Sequence, residues 1–453
     1  MDDPETQKQV ILGFRKAFKS APWIPISQMQ THSFRERPLK GSILVSKIKI
    51  PCPAGDEEEA LRSRLWNVYK ATSEGVEKLD PPAPCVSYNG EWIGVRKDVK
   101  DSKAPQPDIS DQEKFQGIQQ NVDNDMTIFY LAGGAFFRAG PPGARPVIKQ
   151  LAEMSGSRAF TFQPRLAPQY TIPTILLDVL VAYFYLLAPP VGSLHQPINP
   201  KNIILVGESG GSLLHLHLLQ FLRAMIRSSG SKTPVIHFNG QRIPISMPAG
   251  CALVSPGSDL VLSLPSVKKF EKFEWLSEGA PWLKPNYPAD QLWPTTPPRG
   301  DLHCDNSALC HPLIDPSMQL DWSGMPPMWI TCGEETYADG IKFLVKNIQA
   351  SGVPVTFVQY EFMPHVWNII LPHLPQSRDT MKRWGKAIRE IRPDRPKESS
   401  AHFVKLGKLE VIPMSFEGLL DIPQAEVFQR MRTARDRLAA FVWTGPEAGS
   451  SKL

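Results

Sequence analysis

A hydroxyl, an imidazole and a carboxylate on separate stretches of one chain can together open an ester, provided that backbone N–H groups steady the oxyanion formed on the way. Candidates for each part occur here in the order serine, acid, histidine. The serine is Ser209, in Gly207-Glu208-Ser209-Gly210-Gly211, between the apolar run "NIILVGE" and a helical pattern. This G-x-S-x-G spacing suits a sharp strand-to-helix turn, because a β-carbon on either flanking position would crowd the strand and helix. Such a turn lifts the hydroxyl to the carboxyl edge of a sheet and aims the Gly210 amide at the same point.

Alone, a serine hydroxyl is a poor nucleophile at neutral pH and needs a base. His365 follows the apolar run "VTFVQYE" in a loop stiffened by Pro364. Between serine and histidine, "MWITCGEETYADG" runs into acidic residues. Glu335 is the first choice for the carboxylate that orients the imidazole, with Glu334 and Asp339 as alternatives. Upstream, "MTIFYLAGGAFFRAG" ends an apolar run in Gly133 and Gly134, followed by Ala135 and Phe136. Small residues there leave backbone N–H groups open to a reacting carbonyl. Phe136, Phe137 and Trp367 supply apolar surface for a hydrophobic substrate.

These residues need a frame. Short apolar runs alternate with helical patterns from Met126 onward: "MTIFYLA", "RAFTFQP", "NIILVGE", "GCALVSP", "MWITCGE" and "VTFVQYE". That alternation predicts a mostly parallel sheet covered by helices on both faces, an α/β class. Before it, an amino-terminal section (1–120) carries a helix capped by Asp3 with Pro4 in its first turn. A second helix from Asp56 has Leu61, Leu65 and Tyr69 on one side. "CVSYNGEWIGV" predicts a hairpin turning at Asn89-Gly90, and the polar stretch "RKDVKDSKAPQPDISDQEK" a loop. The core spans 121–392. A third section (393–453) reads as a charged, proline-bearing linker and a last helix near Gln424 to Trp443, with Val427, Phe428, Met431, Leu438 and Phe441 on its apolar side.

Taken together, the motifs resemble the hormone-sensitive-lipase-like branch of the α/β-hydrolase superfamily, and especially its fungal esterase-like members, over Met126 to Ile391. "YLAGGAFFRAG" is similar to the family's Y-x-H-G-G-G-F loop and "QPRLAPQY" to its Y-R-L-A-P segment. "GESGG" matches the G-D-S-A-G elbow, "CGEETYADG" the G-x-D-x-L-x-D acid loop, and "EFMPHVW" the E-x-M-x-H-x-F histidine loop. The resemblance implies an α/β-hydrolase fold with Ser209 as nucleophile, His365 as base and Glu335 as acid. It also implies Gly134, Ala135 and Gly210 amides as oxyanion donors, with Gly133 shaping their loop. Ala132 stands where the family has histidine, Ala135 where it has glycine, and Glu335 where it has aspartate.

The expected reaction is hydrolysis of a small-molecule ester, a small acyl group on a hydrophobic alcohol, through an acyl-enzyme and without cofactor. A lactonase, thioesterase, acyltransferase or cyclase would use the same triad, and this branch also holds hormone receptors that have lost a triad member. Other classes fit less well. A net charge of +5 over 453 residues, without long runs of like charge, gives no basis for a nucleic-acid partner. Six cysteines in so long a chain form no disulfide framework. "HCDNSALCH", His303 to His311, lacks the second ligand pair of a structural zinc site, so no metal is expected. His215 and His217 lie about 200° apart around their helix and fit core packing. The apolar stretch Ile172 to Val191 holds Asp178 and ends in prolines, which predicts a core helix and no transmembrane segment. The closing Ser451-Lys452-Leu453 matches the tripeptide read by the peroxisomal import receptor, so the expected location is the peroxisome matrix, in lipid or secondary metabolism.

Overall fold

A computed structural model of the chain describes residues 3–73, 75–138, 140–228, 234–276, 284, 286–392, 394, 398–439 and 441–446. The tripeptide Ser451-Lys452-Leu453 lies outside them. The strands are β1 (Ile43–Ile50), β2 (Tyr88–Val95), β3 (Thr127–Leu131), β4 (Arg158–Phe162), β5 (Ile203–Glu208), β6 (Val235–Phe238), β7 (Gln241–Pro244), β8 (Gly250–Val254), β9 (Met328–Gly333), β10 (Val355–Tyr360), β11 (Ser400–Val404) and β12 (Val411–Met414). The helices are α1 (Pro4–Ser20), α2 (Ile26–Phe34), α3 (Gly55–Ala71), α4 (Asp111–Gln120), α5 (Pro141–Ser155), α6 (Ile172–Leu187), α7 (Gly210–Ser228), α8 (Ser266–Lys269), α9 (Ala338–Ala350), α10 (Trp367–Ile370), α11 (Pro375–Glu390) and α12 (Gln424–Ala439).

Except for β6 and β7, which pair with each other, the strands form one sheet in the order β1-β2-β4-β3-β5-β8-β9-β10-β11-β12. From β4 through β11 neighbouring strands are parallel, with antiparallel pairs at both ends. All six apolar runs read from the sequence are strands of this parallel stretch. Side chains alternate between faces as a strand requires. Phe129 and Leu205 pack on one side with α6 and α7, while Ile128 and Val206 pack on the other with α5 and α11. Register then brings strand ends to one rim: Leu131 lies beside Gly207, Glu208 beside Val254, and Gly333 beside Tyr360. The loops that leave β3, β5, β9 and β10 therefore meet.

The buried α6 is the apolar stretch read as a core helix, and Asp178 within it is held by Arg165 and Tyr88. Among the described residues no helix is long and apolar enough to cross a membrane. Asp3 caps α1 by accepting from Thr6 N at 2.8 Å, and Leu61, Leu65 and Tyr69 of α3 are fully buried, both as expected.

Three expectations fail. Asn89-Gly90 is no turn: β2 runs straight through it, and Gly90 is there because a β-carbon would press on Ile48 Cγ1 of β1 at 3.1 Å. The polar stretch after β2 ends in a helix, α4, started by a reciprocal cap between Ser110 and Glu113. The supposed linker before the last helix contributes β11 and β12, which extend the sheet past β10. The last helix itself is present as α12, with Val427 and Met431 buried, but it stops before Phe441, which is exposed.

Candidate active site

Ser209 occupies the turn between β5 and α7 with φ of 51°, a left-handed conformation costly for a residue with a β-carbon. Its neighbours make the turn possible. A β-carbon on Gly207 would lie 2.8 Å from Leu131 O, and one on Gly211 only 2.0 Å from the same carbonyl. Ser209 N donates to Val254 O at 2.9 Å, fixing the turn against β8.

The loop after β10 returns His365 over this turn. Its Nε2 lies 2.8 Å from Ser209 Oγ and its Nδ1 2.8 Å from Glu335 Oε1. Glu335 follows β9 and is fully buried. Its second oxygen accepts from the Ser255 hydroxyl at 2.6 Å and from Gly333 N at 3.0 Å. The two alternative acids are engaged elsewhere: Glu334 accepts from Phe362 N, and Asp339 from Ser266 N. Three expected side chains from three strand ends are thus brought into one relay.

A second buried carboxylate, unnoticed in the sequence, braces this relay. Glu274 Oε2 accepts from His365 N at 3.2 Å and Thr336 N at 3.0 Å, while Oε1 accepts from Trp275 N and Leu276 N. Trp275 Nε1 in turn donates to His365 O at 2.7 Å. Burial pushes the Glu274 carboxyl above the usual range, and Glu335 nearby adds to the shift while His365 opposes it. No motif flags Glu274, because its work is done through backbone amides of distant segments.

Beside the serine runs the loop after β3. Gly133 N donates to Glu208 Oε1 at 2.8 Å, and Tyr130 OH bonds Oε2. The Gly133 amide is therefore spent on shaping the loop. Burial pushes Glu208 up to about 7, against the pull of these hydrogen bonds. Gly134, Ala135 and Phe136 all have positive φ, so the loop folds back on itself and Phe137 N donates to Gly134 O. A β-carbon on Gly210 would sit 3.6 Å from Ala135 N, which shows how closely this loop approaches the start of α7. Among the described residues, the amides of Gly134, Ala135 and Gly210 have no acceptor. They are available to an oxyanion.

A cavity of about 170 Å³ opens on Ser209, with apolar walls that include Phe136, Phe137, Leu213, Leu260 and Trp275. Phe18, Trp23 and Met29 from α1, α2 and their connection also line it, which places the amino-terminal section over the site. Trp367 does not line it. Trp367 is fully buried instead, its ring 5.1 Å from that of Tyr360 in a core cluster that also holds Ile11.

The remaining candidates have structural partners. His215 and His217 reach the carbonyls of Val206 and Ile314, and His311 that of Tyr69. His303 pairs with Asp301, reaches Ala135 O at 3.0 Å and lines the same cavity as Ser209. Among the described residues, no group of three or more His, Cys, Asp or Glu could hold a metal ion.

Comparison with known proteins agrees with this geometry. A family model described as alpha/beta hydrolase fold matches residues 128–369. An acetyl-hydrolase of Streptomyces hygroscopicus is 28% identical over 58% of this chain and 75% of its own length. An esterase of Acinetobacter venetianus is 25% identical over the same shares of both chains. Among solved structures, an esterase from the bacterial hormone-sensitive lipase family superposes with a TM-score of 0.53 at 19% identity, covering 85% of this chain and 98% of its own. A hormone-sensitive lipase from a metagenome library gives 0.53 at 21%, covering 86% and 99%. These two share the fold.

Proposed function

This chain belongs to the α/β-hydrolase family, and on that premise we propose that it is a carboxylesterase-type hydrolase acting through Ser209, His365 and Glu335. The observation that carries the reading is the relay of 2.8 Å and 2.8 Å from Ser209 Oγ through His365 to Glu335, facing free backbone amides. Ser209 Oγ attacks the ester carbonyl as its proton passes to His365 Nε2, and the oxyanion is received by the amides of Gly134, Ala135 and Gly210. The imidazolium, stabilised by Glu335, returns that proton to the departing alcohol. Water then enters, loses a proton to His365 and attacks the acyl-enzyme; collapse of the second intermediate frees the acid and restores Ser209.

Its small, largely apolar cavity favours a short acyl group and a hydrophobic alcohol, and the acetyl-hydrolase relative supports the short acyl group. Retention of the complete triad speaks for turnover over ligand binding alone. Hydrolysis of p-nitrophenyl acetate and butyrate by the wild type and by Ser209→Ala tests the reading. Loss of more than ~10³-fold in the variant is expected of a nucleophile; equal rates would refute it.

The peroxisomal setting rests on Ser451-Lys452-Leu453 alone. A fluorescent fusion ending in those residues, compared with one lacking them, tests whether they direct the chain there.

A further inference from the structure

Arg138 closes the oxyanion loop. Its N donates to Gly134 O at 3.2 Å and its carbonyl accepts from Ser33 Oγ at 2.5 Å, so its backbone is fixed relative to the amides that face Ser209. The side chain is half-buried and lines the catalytic cavity. It makes no ion pair among the described residues; its guanidinium lies 5.8 Å from the centroid of the Phe137 ring and interacts with Tyr287, which lines the same cavity. Burial lowers its pKa, as expected of a cation taken partly out of water without an anion beside it.

Other acids near it are occupied. Asp301 is held by His303 at 3.0 Å, and Glu208 by Tyr130 and Gly133. Arg138 also lines a second cavity, of about 190 Å³, whose exposed rim includes Arg35 and Arg37. Neither rim arginine makes an ion pair among the described residues, while Glu36 between them is taken by Arg145 and Lys47. The loop that steadies the oxyanion is thus flanked by arginines without ion-pair partners among the described residues, at a largely apolar cavity whose own acid, Asp301, is paired with His303.

Resting on the ester-hydrolase reading, we propose that the substrate is an ester carrying a second, anionic oxygen group, a carboxylate or a phosphate, which Arg138 binds through its guanidinium. A planar fork of N–H donors matches either group in paired hydrogen bonds. The anion supplies the partner that the fold withholds, and the rim arginines draw it in.

Two pairs of esters distinguish the sources. For a carboxylate on the acyl side, the mono-p-nitrophenyl ester of glutaric acid is compared with p-nitrophenyl pentanoate. For a phosphate on the alcohol side, acetylglycerol phosphate is compared with acetylglycerol, with acetate release measured. One anionic member is expected to exceed its neutral partner in kcat/KM by ~10-fold or more, mainly through KM. Arg138→Gln is expected to bring that ratio to about one, with part of it kept in Arg138→Lys. Should the Gln variant fail to fold, competitive inhibition of wild-type pentanoate hydrolysis by glutarate or inorganic phosphate replaces it. Neutral esters cleaved as well as or better than both anionic ones would overturn the inference and leave the hydrolase reading intact. Cleavage of no ester, with Ser209 unlabelled by a fluorophosphonate, would overturn both.

Discussion

His365 Nδ1 meets Glu335 Oε1 at 2.8 Å while the other carboxylate oxygen is held by Ser255 and Gly333, so the acid presents one fixed oxygen to the imidazole. The extra methylene of glutamate, compared with the aspartate of the motif it resembles, is used in crossing from the end of β9 to the histidine.

Removing the charge while keeping the shape should therefore disturb catalysis more than folding. Glu335→Gln is expected to lower kcat by ~10² to 10⁴-fold, because the imidazole loses its oriented tautomer and its stabilising anion. Glu335→Asp shortens the reach and should lower kcat by roughly 10 to 100-fold. Steady-state kinetics on p-nitrophenyl butyrate check both, and an unimpaired Gln variant would assign the role to another group.

Glu208 links the nucleophile turn to the oxyanion loop, and its carboxyl is held at about 7 in the folded chain against 4.5 as the ordinary value. A folded pKa above the unfolded one gives stability that is complete below about 4.5 and lost as pH rises through about 7. Glu208→Gln, which cannot ionise, should escape that loss. Thermal or urea unfolding at pH 5 and pH 8 is expected to show the variant gaining on the wild type by roughly 1 to 3 kcal/mol across that interval. A difference independent of pH would mean that Glu208 does not titrate there.

Elements with strict local patterns were legible in the sequence. The six apolar runs are strands, and Ser209, His365 and Glu335 converge as their motifs imply. What was hidden depends on partners far along the chain. Asn89-Gly90 looks like a turn until Ile48 and Ile50 of β1 pack over the glycine. β11 forms on the edge offered by β10, in a stretch whose composition suits a linker. Trp367 stands two residues from the histidine yet is turned away by the backbone, with Val366 at φ of 50°. Phe18 and Trp23 reach the cavity from α1 and the connection after it, which no local motif links to the site.

Steric necessity at the nucleophile turn is testable with two glycines. In Gly211→Ala the new methyl would lie 2.0 Å from Leu131 O, a strand backbone atom that cannot move without disturbing β3. A loss of stability above ~3 kcal/mol, or failure to fold, is expected from such overpacking. Gly13 in α1 is exposed, with nothing within 4 Å of its added methyl. Gly13→Ala should stabilise by about 0.5 to 1 kcal/mol through helix propensity. Denaturant melts of both variants separate a conformational glycine from an incidental one.

The amino-terminal helix sets the depth of the cavity. Phe18 lies edge-on to Trp275 with ring centroids 4.7 Å apart, and Trp275 is tied to the His365 carbonyl. α1 does not depend on Phe18 for its place. Ile11 is fully buried beneath it, Gln7 Oε1 accepts from Gln376 Nε2 at 2.8 Å and Gly407 N at 3.1 Å, and Arg15 Nε donates to the carbonyls of Glu271 and Glu274. Phe18→Ala should leave the helix docked and add space roughly equal to a phenyl ring, which an acyl chain several methylenes longer can fill. At about 0.8 kcal/mol for each methylene buried, the ratio of hexanoate to acetate hydrolysis is expected to rise by ~10-fold or more. The readout is kcat/KM across p-nitrophenyl acetate, butyrate and hexanoate. A chain-length profile that does not move would mean that the acyl group lies along another wall, and that Phe18 bounds the alcohol side or seals the site from water.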